Sequence, residues 1–156
     1  RLVSATVAGS VTASSNAVLS ALEIQPGGVV SARRGCEIAG VSVASGGRLW
    51  LSEYTDGTDI TAGAGATAFL LNMGSYSGLS LGEGAVCSAS AYVTISGIEV
   101  VSGATLDLQA WTTAEEVSVA SGGTLRVGSS CAATRVASAE GAIISTYAGG
   151  IVEYAE

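Results

Sequence analysis

Glycine stands at every nineteenth position of this chain, at Gly27, Gly46, Gly65, Gly84, Gly103, Gly122 and Gly141. A comb this regular means that one structural unit is copied along the chain, and a period of this length points to a solenoid. Other columns keep the same phase. Five residues before each glycine stands an aliphatic side chain: Leu22, Val41, Ile60, Leu79, Ile98, Val117, Val136. Carried backwards, that column reaches Val3. Three residues before each glycine come Ile24, Val43, Ala62, Leu81, Val100, Val119 and Ser138, and the column between them is mostly polar (Glu23, Ser42, Thr61, Ser80, Glu99, Ser118). Such period-two alternation marks a strand with one buried face. After the glycine comes another small residue, and then a second alternating stretch. Its inward columns hold Leu49, Cys87, Leu106 and Leu125, then Leu51, Leu70, Leu108 and Val127.

The unit therefore reads as strand, glycine corner, strand, return, with the less regular stretch at Arg34–Gly40 expected to form the return path. Glycine suits the corner because it takes positive φ without a Cβ clash. Eight units fit: 3–21, 22–40, 41–59, 60–78, 79–97, 98–116, 117–135 and 136–154. The first is degenerate, with Ala8 in the glycine column. No break of phase is read from the columns, so one domain with no linker is expected. A lone coil buries too few side chains to offset its ordering entropy, whereas stacked coils share a core and each other's hydrogen bonds. The expected fold is an all-β parallel β-solenoid with rungs about 4.8 Å apart. A right-handed β-helix is the default for parallel crossovers.

Composition agrees. An apolar content of 48% with 12% charged residues excludes disorder. No apolar run approaches the roughly 20 residues of a membrane helix. The chain opens inside the repeat without a signal peptide, so it is expected to be a piece of something longer or a processed form. A net charge of −7 argues against nucleic acid. Cys36 and Cys131 share a column five coils apart and Cys87 lies in another. No intramolecular disulfide is expected, because its Cα atoms must lie within about 7 Å. Core filling is the expectation for all three cysteines, with an intermolecular bridge through Cys36 or Cys131 left open.

Chemistry is sparse. There is no histidine, so the usual general base and the Ser-His-Asp arrangement are missing. The carboxylates are scattered, and the cysteines are too far apart for a zinc site. Asp107 and Arg126 are expected to form a surface ion pair between rungs. Neither enzymatic activity, a cofactor nor a metal is expected. Two aromatic groups stand out instead. Trp50 and Phe69 fall in an outward column on neighbouring rungs. Tyr54, Met73, Tyr92 and Trp111 fill another column in consecutive coils, either as a ladder sealing a corner or as an exposed stripe for a sugar or protein partner.

The string VSVASGGRLWL at 41–51 and its near copy VSVASGGTLRV at 117–127 resemble the passenger repeats of self-associating bacterial autotransporter adhesins of the diffuse-adherence type. The resemblance spans residues 3–154, with Gly-Ala replacing Gly-Gly in some coils. It implies display on the bacterial cell surface, adhesion or autoaggregation, and in some members O-linked heptose on repeat serines. By matching position, Ser45, Ser102 and Ser121 are candidate acceptors, with the outward Ser42, Ser80 and Ser118. Partners are expected to be the chain itself, by lateral or end-to-end association, or surface glycans and proteins, with no membrane insertion by this segment. The alternatives are a subunit of an end-to-end stacked extracellular fibre and a carbohydrate-active enzyme fragment.

Overall fold

The structure is a computed structural model describing residues 1–156. Each unit contributes one longer and one shorter strand. The longer ones form a nine-stranded parallel sheet: β1 (Leu2–Val7), β3 (Val18–Ile24), β5 (Glu37–Val43), β7 (Asp56–Ala62), β9 (Ser75–Leu81), β11 (Thr94–Val100), β13 (Thr113–Val119), β15 (Ala132–Ser138) and β17 (Ile151–Tyr154). The shorter ones form an eight-stranded sheet: β2 (Ser10–Ala13), β4 (Val29–Arg33), β6 (Arg48–Ser52), β8 (Thr67–Leu71), β10 (Val86–Ser90), β12 (Thr105–Gln109), β14 (Thr124–Val127) and β16 (Ile143–Thr146). Strands pair with their counterparts one coil away, Leu49 with Val30 and Ala68, Leu125 with Leu106 and Ile144. The chain is a parallel β-solenoid. Its inward columns pack into one core that runs from Val7 to Val136.

Each comb glycine is the third residue of a four-residue turn. The N–H of the following residue donates to the carbonyl three back, as from Gly47 to Ala44 (2.9 Å) and from Gly123 to Ala120 (2.9 Å). The glycine φ is +72° at Gly46 and +75° at Gly122, the requirement of a type II turn. The sole proline, Pro26, takes the second position of such a turn, where its fixed φ fits. The small residue after the glycine is buried beneath the turn, where a Cβ on Gly28 would collide with the Val7 carbonyl.

In most coils the second corner uses two consecutive left-handed residues, and apart from Gly35 they are not glycines: Glu53 and Tyr54 (φ 57° and 64°), Ala91 and Tyr92 (64° and 64°), Ala110 and Trp111 (45° and 65°). Left-handed residues turn the peptide over. The Tyr54 N–H thus donates forward to the Asn72 carbonyl (3.0 Å), whereas strand amides donate backward, as Arg48 does to Gly28 (2.9 Å). The ladder continues round the corner with reversed polarity. That continuity offsets a backbone cost of about 1–2 kcal/mol per left-handed residue.

Two expectations are corrected. The stretch assigned to an irregular return path is half strand: Glu37–Ala39 pairs with Asp56–Thr58. A left-handed residue then bends each long strand from β1 to β15 (Gly40 φ 60°, Asp59 φ 53°, Glu116 φ 56°) and places two outward residues in succession before the alternation resumes. The phase also does not hold back to Val3. Leu2 pairs with Leu19 and Ala5 with Leu22, while Ser10 pairs with Val29. The first coil is two residues short at its corner, where Ala8–Gly9 replaces a four-residue turn. An even slip preserves inside and outside, so Val7 still enters the core, but Val3 faces Ser20 and is exposed. In the last coil the inward positions Ser138 and Thr146 are exposed.

The added strand half brings a mixed inward column. Thr55 and Thr112 Oγ1 donate to the carbonyls three back, of Ser52 and Gln109 (both 2.7 Å), and Cys36 Sγ donates to that of Arg33 (3.0 Å). Cys36 and the two threonines interchange because either side chain satisfies the same corner carbonyl, whereas Cys131 Sγ leans on the Ser129 carbonyl (3.7 Å). All three cysteines are free and buried, so the intermolecular bridge through Cys36 or Cys131 is ruled out in the folded rod. Burial pushes the Cys87 thiol up to about 12. Tyr76 fills the space beside Gly57 and Gly74. Its hydroxyl has no hydrogen-bond partner, and burial foremost, then the Asp56 charge and Cys87, holds the phenol above its ordinary range. Removing that orphan donor relieves a desolvation cost. Tyr76→Phe is expected to leave stability unchanged or raise it by up to about 1 kcal/mol, read from thermal melting. A loss of more than that would mean the hydroxyl is satisfied.

Candidate contact surface

Side chains pointing away from the core carry whatever chemistry the rod presents. On the eight-stranded sheet one outward column reads Ser31, Trp50, Phe69, Ser88, Asp107, Arg126, Ser145. Trp50 and Phe69 are paired across β6 and β8, and their rings stack with centroids 4.0 Å apart and an interplanar angle of 23°. Such stacking contributes about 0.5–1.5 kcal/mol beyond burial. Trp50 stays 39% exposed and Phe69 is half-buried, flanked on its own strand by Thr67 and Leu71.

The column Tyr54, Met73, Tyr92 and Trp111 does not seal the corner. These side chains are exposed, Tyr54 by 62% and Trp111 by 58%, and Tyr92 stacks on Trp111 at 6.0 Å. The strained backbone that displays them escapes sequence reasoning, because the corner would ordinarily be written with Gly or Asn. Trp50–Phe69 and this column lie on different parts of the coil, one on the sheet face and one at the turn that follows it.

Ser42 and Ser118 are exposed on outward strand positions, and Ser80 is half-exposed. The exposed corner serines lean along the rod. Ser102 Oγ lies 2.8 Å from where a Cβ on Gly122 would sit, Ser121 Oγ 2.7 Å from that of Gly141, and Ser45 Oγ 3.5 Å from that of Gly65.

Asp107 and Arg126 face each other across β12 and β14 but form no ion pair; Gln109 Nε2 donates to the Asp107 carboxylate instead (2.7 Å). The ion pairs present, Arg34–Glu53 at 3.3 Å and Arg135 with Glu115 and Glu116 at 3.1 and 3.2 Å, are exposed and contribute little. On the first sheet an open hollow of about 320 Å³ spans β7, β9 and β11, lined largely by hydroxyls and by Asp56, whose carboxylate already accepts the Ser75 N–H (3.0 Å). No group of three or more metal-ligating side chains converges anywhere. No helix is long and apolar enough to cross a membrane.

No protein-family model and no curated protein sequence matches the chain. A solved structure does: the crystal structure of a TibC-catalyzed hyper-glycosylated TibA55-350 fragment. It matches with a TM-score of 0.60 at 19% identity, over 96% of this chain and 69% of that one. At that identity the likeness is one of fold.

Proposed function

We propose that this chain is a non-enzymatic passenger segment of a surface-displayed bacterial adhesin, working outside the cell by contact through its exposed columns. Self-association is the simplest form of that contact. The observation that carries the reading is the stacked Trp50–Phe69 pair. The core consumes the inward columns, and these two rings form the largest aromatic surface left on an outward sheet face. Tyr54, Tyr92 and Trp111 form a second apolar surface at the neighbouring corner. The repeat strings resemble those of autotransporter adhesins, and the fold is shared with a hyper-glycosylated fragment. On this reading Ser42, Ser45, Ser80, Ser102, Ser118 and Ser121 are glycan acceptors, placed where modification leaves the core untouched.

Many rods on one cell multiply a weak contact through effective concentration. Cells displaying the chain are therefore expected to settle faster than cells displaying the Trp50→Ser, Phe69→Ser double variant. The purified variant should melt within about 4 °C of the parent, since it loses only the stacking pair. Equal settling would place the contact elsewhere. An unfolded variant would assign the rings to the core.

A further inference from the structure

We propose that the outer face of the second sheet around Trp50 is a binding site for a carboxylate-bearing saccharide. The proposal rests on the adhesive reading above and gives that face a ligand chemistry. Trp50 has Phe69 on the rung after it and Ser31 on the rung before it. The ring centroids are closer than the rung spacing of about 4.8 Å, so the two rings stand on edge and face each other along the rod. One indole face is covered by Phe69. The other looks onto the Ser31 rung, where only a hydroxymethyl group projects from the neighbouring position.

Two arginines flank that uncovered ring face along the strands. Arg33 lies two residues beyond Ser31 on β4, and Arg48 two residues before Trp50 on β6. Strand alternation puts both on the same face as Trp50, and both are exposed. Neither is ion-paired, whereas Arg34 and Arg135 are. No outward position of β4, β6 or β8 carries a carboxylate, although the chain holds 13 acidic residues at a net charge of −7. Acids gather instead on the first sheet, at Glu23, Glu37, Asp56, Asp59, Glu99 and Glu115. Two free cations beside a bare indole thus stand out against the charge of the whole rod.

This combination fits one ligand chemistry. A pyranose presents a face of C–H groups to an aromatic ring, and a sugar carboxylate is matched by the guanidinium fork. A neutral sugar uses only the ring. A nucleic acid backbone calls for a run of cations, and this face offers two.

The test is NMR titration of the indole N–H signals of the full chain at low salt, with Trp50 and Trp111 told apart by Trp111→Phe. The probes are 3′-sialyllactose and an oligogalacturonide, with lactose as the neutral control. The Trp50 signal is expected to shift saturably with an acidic probe and at least about tenfold more weakly with lactose. The double variant Arg33→Gln, Arg48→Gln should lose about tenfold in affinity at an unchanged melting temperature, and added salt should weaken parental binding. Absence of a Trp50 shift with both acidic probes, equal binding of lactose, or full affinity in the arginine variant would overturn the proposal. If the arginine variant loses self-association while neither saccharide moves Trp50, the face takes the acidic sheet of a second copy and the proposal also falls. The two readings separate cleanly. Settling that depends on Trp50 and Phe69 with no saccharide binding leaves the adhesive reading standing without this one. Saccharide binding by a chain whose settling ignores those residues does the reverse.

Discussion

Replacing Gly122 by valine is expected to destabilise the rod by about 2–3 kcal/mol and to lower its melting temperature by roughly 5–10 °C. Two causes add. The residue sits at φ +75°, a conformation a β-branched side chain takes poorly. Its new Cβ would also meet Ser102 Oγ at 2.8 Å. Gly84 separates the two. Its φ is +70°, but the nearest atom to an added Cβ is the Gly65 amide nitrogen at 3.8 Å. Gly84→Val should therefore cost less than Gly122→Val, and Ser102→Ala should recover part of the Gly122 loss only. Melting curves of the four variants check this. Unchanged melting for both valine variants would mean that the comb marks something other than the turn.

A second large loss is expected at Gly57, for a different reason. Its φ is not left-handed, so the backbone would accept a side chain. The obstacle is packing, since an added Cβ would lie 2.9 Å from both Ile60 Cδ1 and a ring carbon of Tyr76. The tyrosine ring of one coil occupies space that the glycine of the preceding coil vacates. Gly57→Val should cost about 1–3 kcal/mol through overpacking, and Tyr76→Leu should make room for it. In a double-mutant cycle by denaturant unfolding, the pair is expected to couple favourably by about 1 kcal/mol or more. Additive losses would show that the two side chains do not share the space.

These two glycines also show what was legible in the sequence. Gly122 belongs to a column of seven identical residues, so its period announces both the turn and the coil. The inward columns around Leu49, Leu106 and Leu125 were equally plain, because aliphatic residues recur there at every rung. Gly57 stands in a column that also holds Ile38, Tyr76, Ile95 and Ala114. Large and small residues compensate between rungs, no common type appears, and the strand half at Glu37–Ala39 therefore read as an irregular return. The shortened first coil escaped for a related reason: a slip of two residues keeps apolar residues facing inward, so Val3 looked like a member of its column. The Trp50–Phe69 stack was readable because its column follows directly from strand alternation. The exposure of Tyr54, Tyr92 and Trp111 was not, because their backbone conformation depends on hydrogen bonds between coils that no local propensity encodes.

In the proposed function an outward aromatic stack, and not the core, makes the contacts between rods. Sedimentation velocity of the purified chain over a wide concentration range tests it most directly, run beside Trp50→Ser, Phe69→Ser with the β-type circular dichroism of both recorded. The parent is expected to shift to larger species as concentration rises, while the folded double variant stays at monomer mass at concentrations where the parent assembles. Identical assembly of the two folded proteins would contradict the claim.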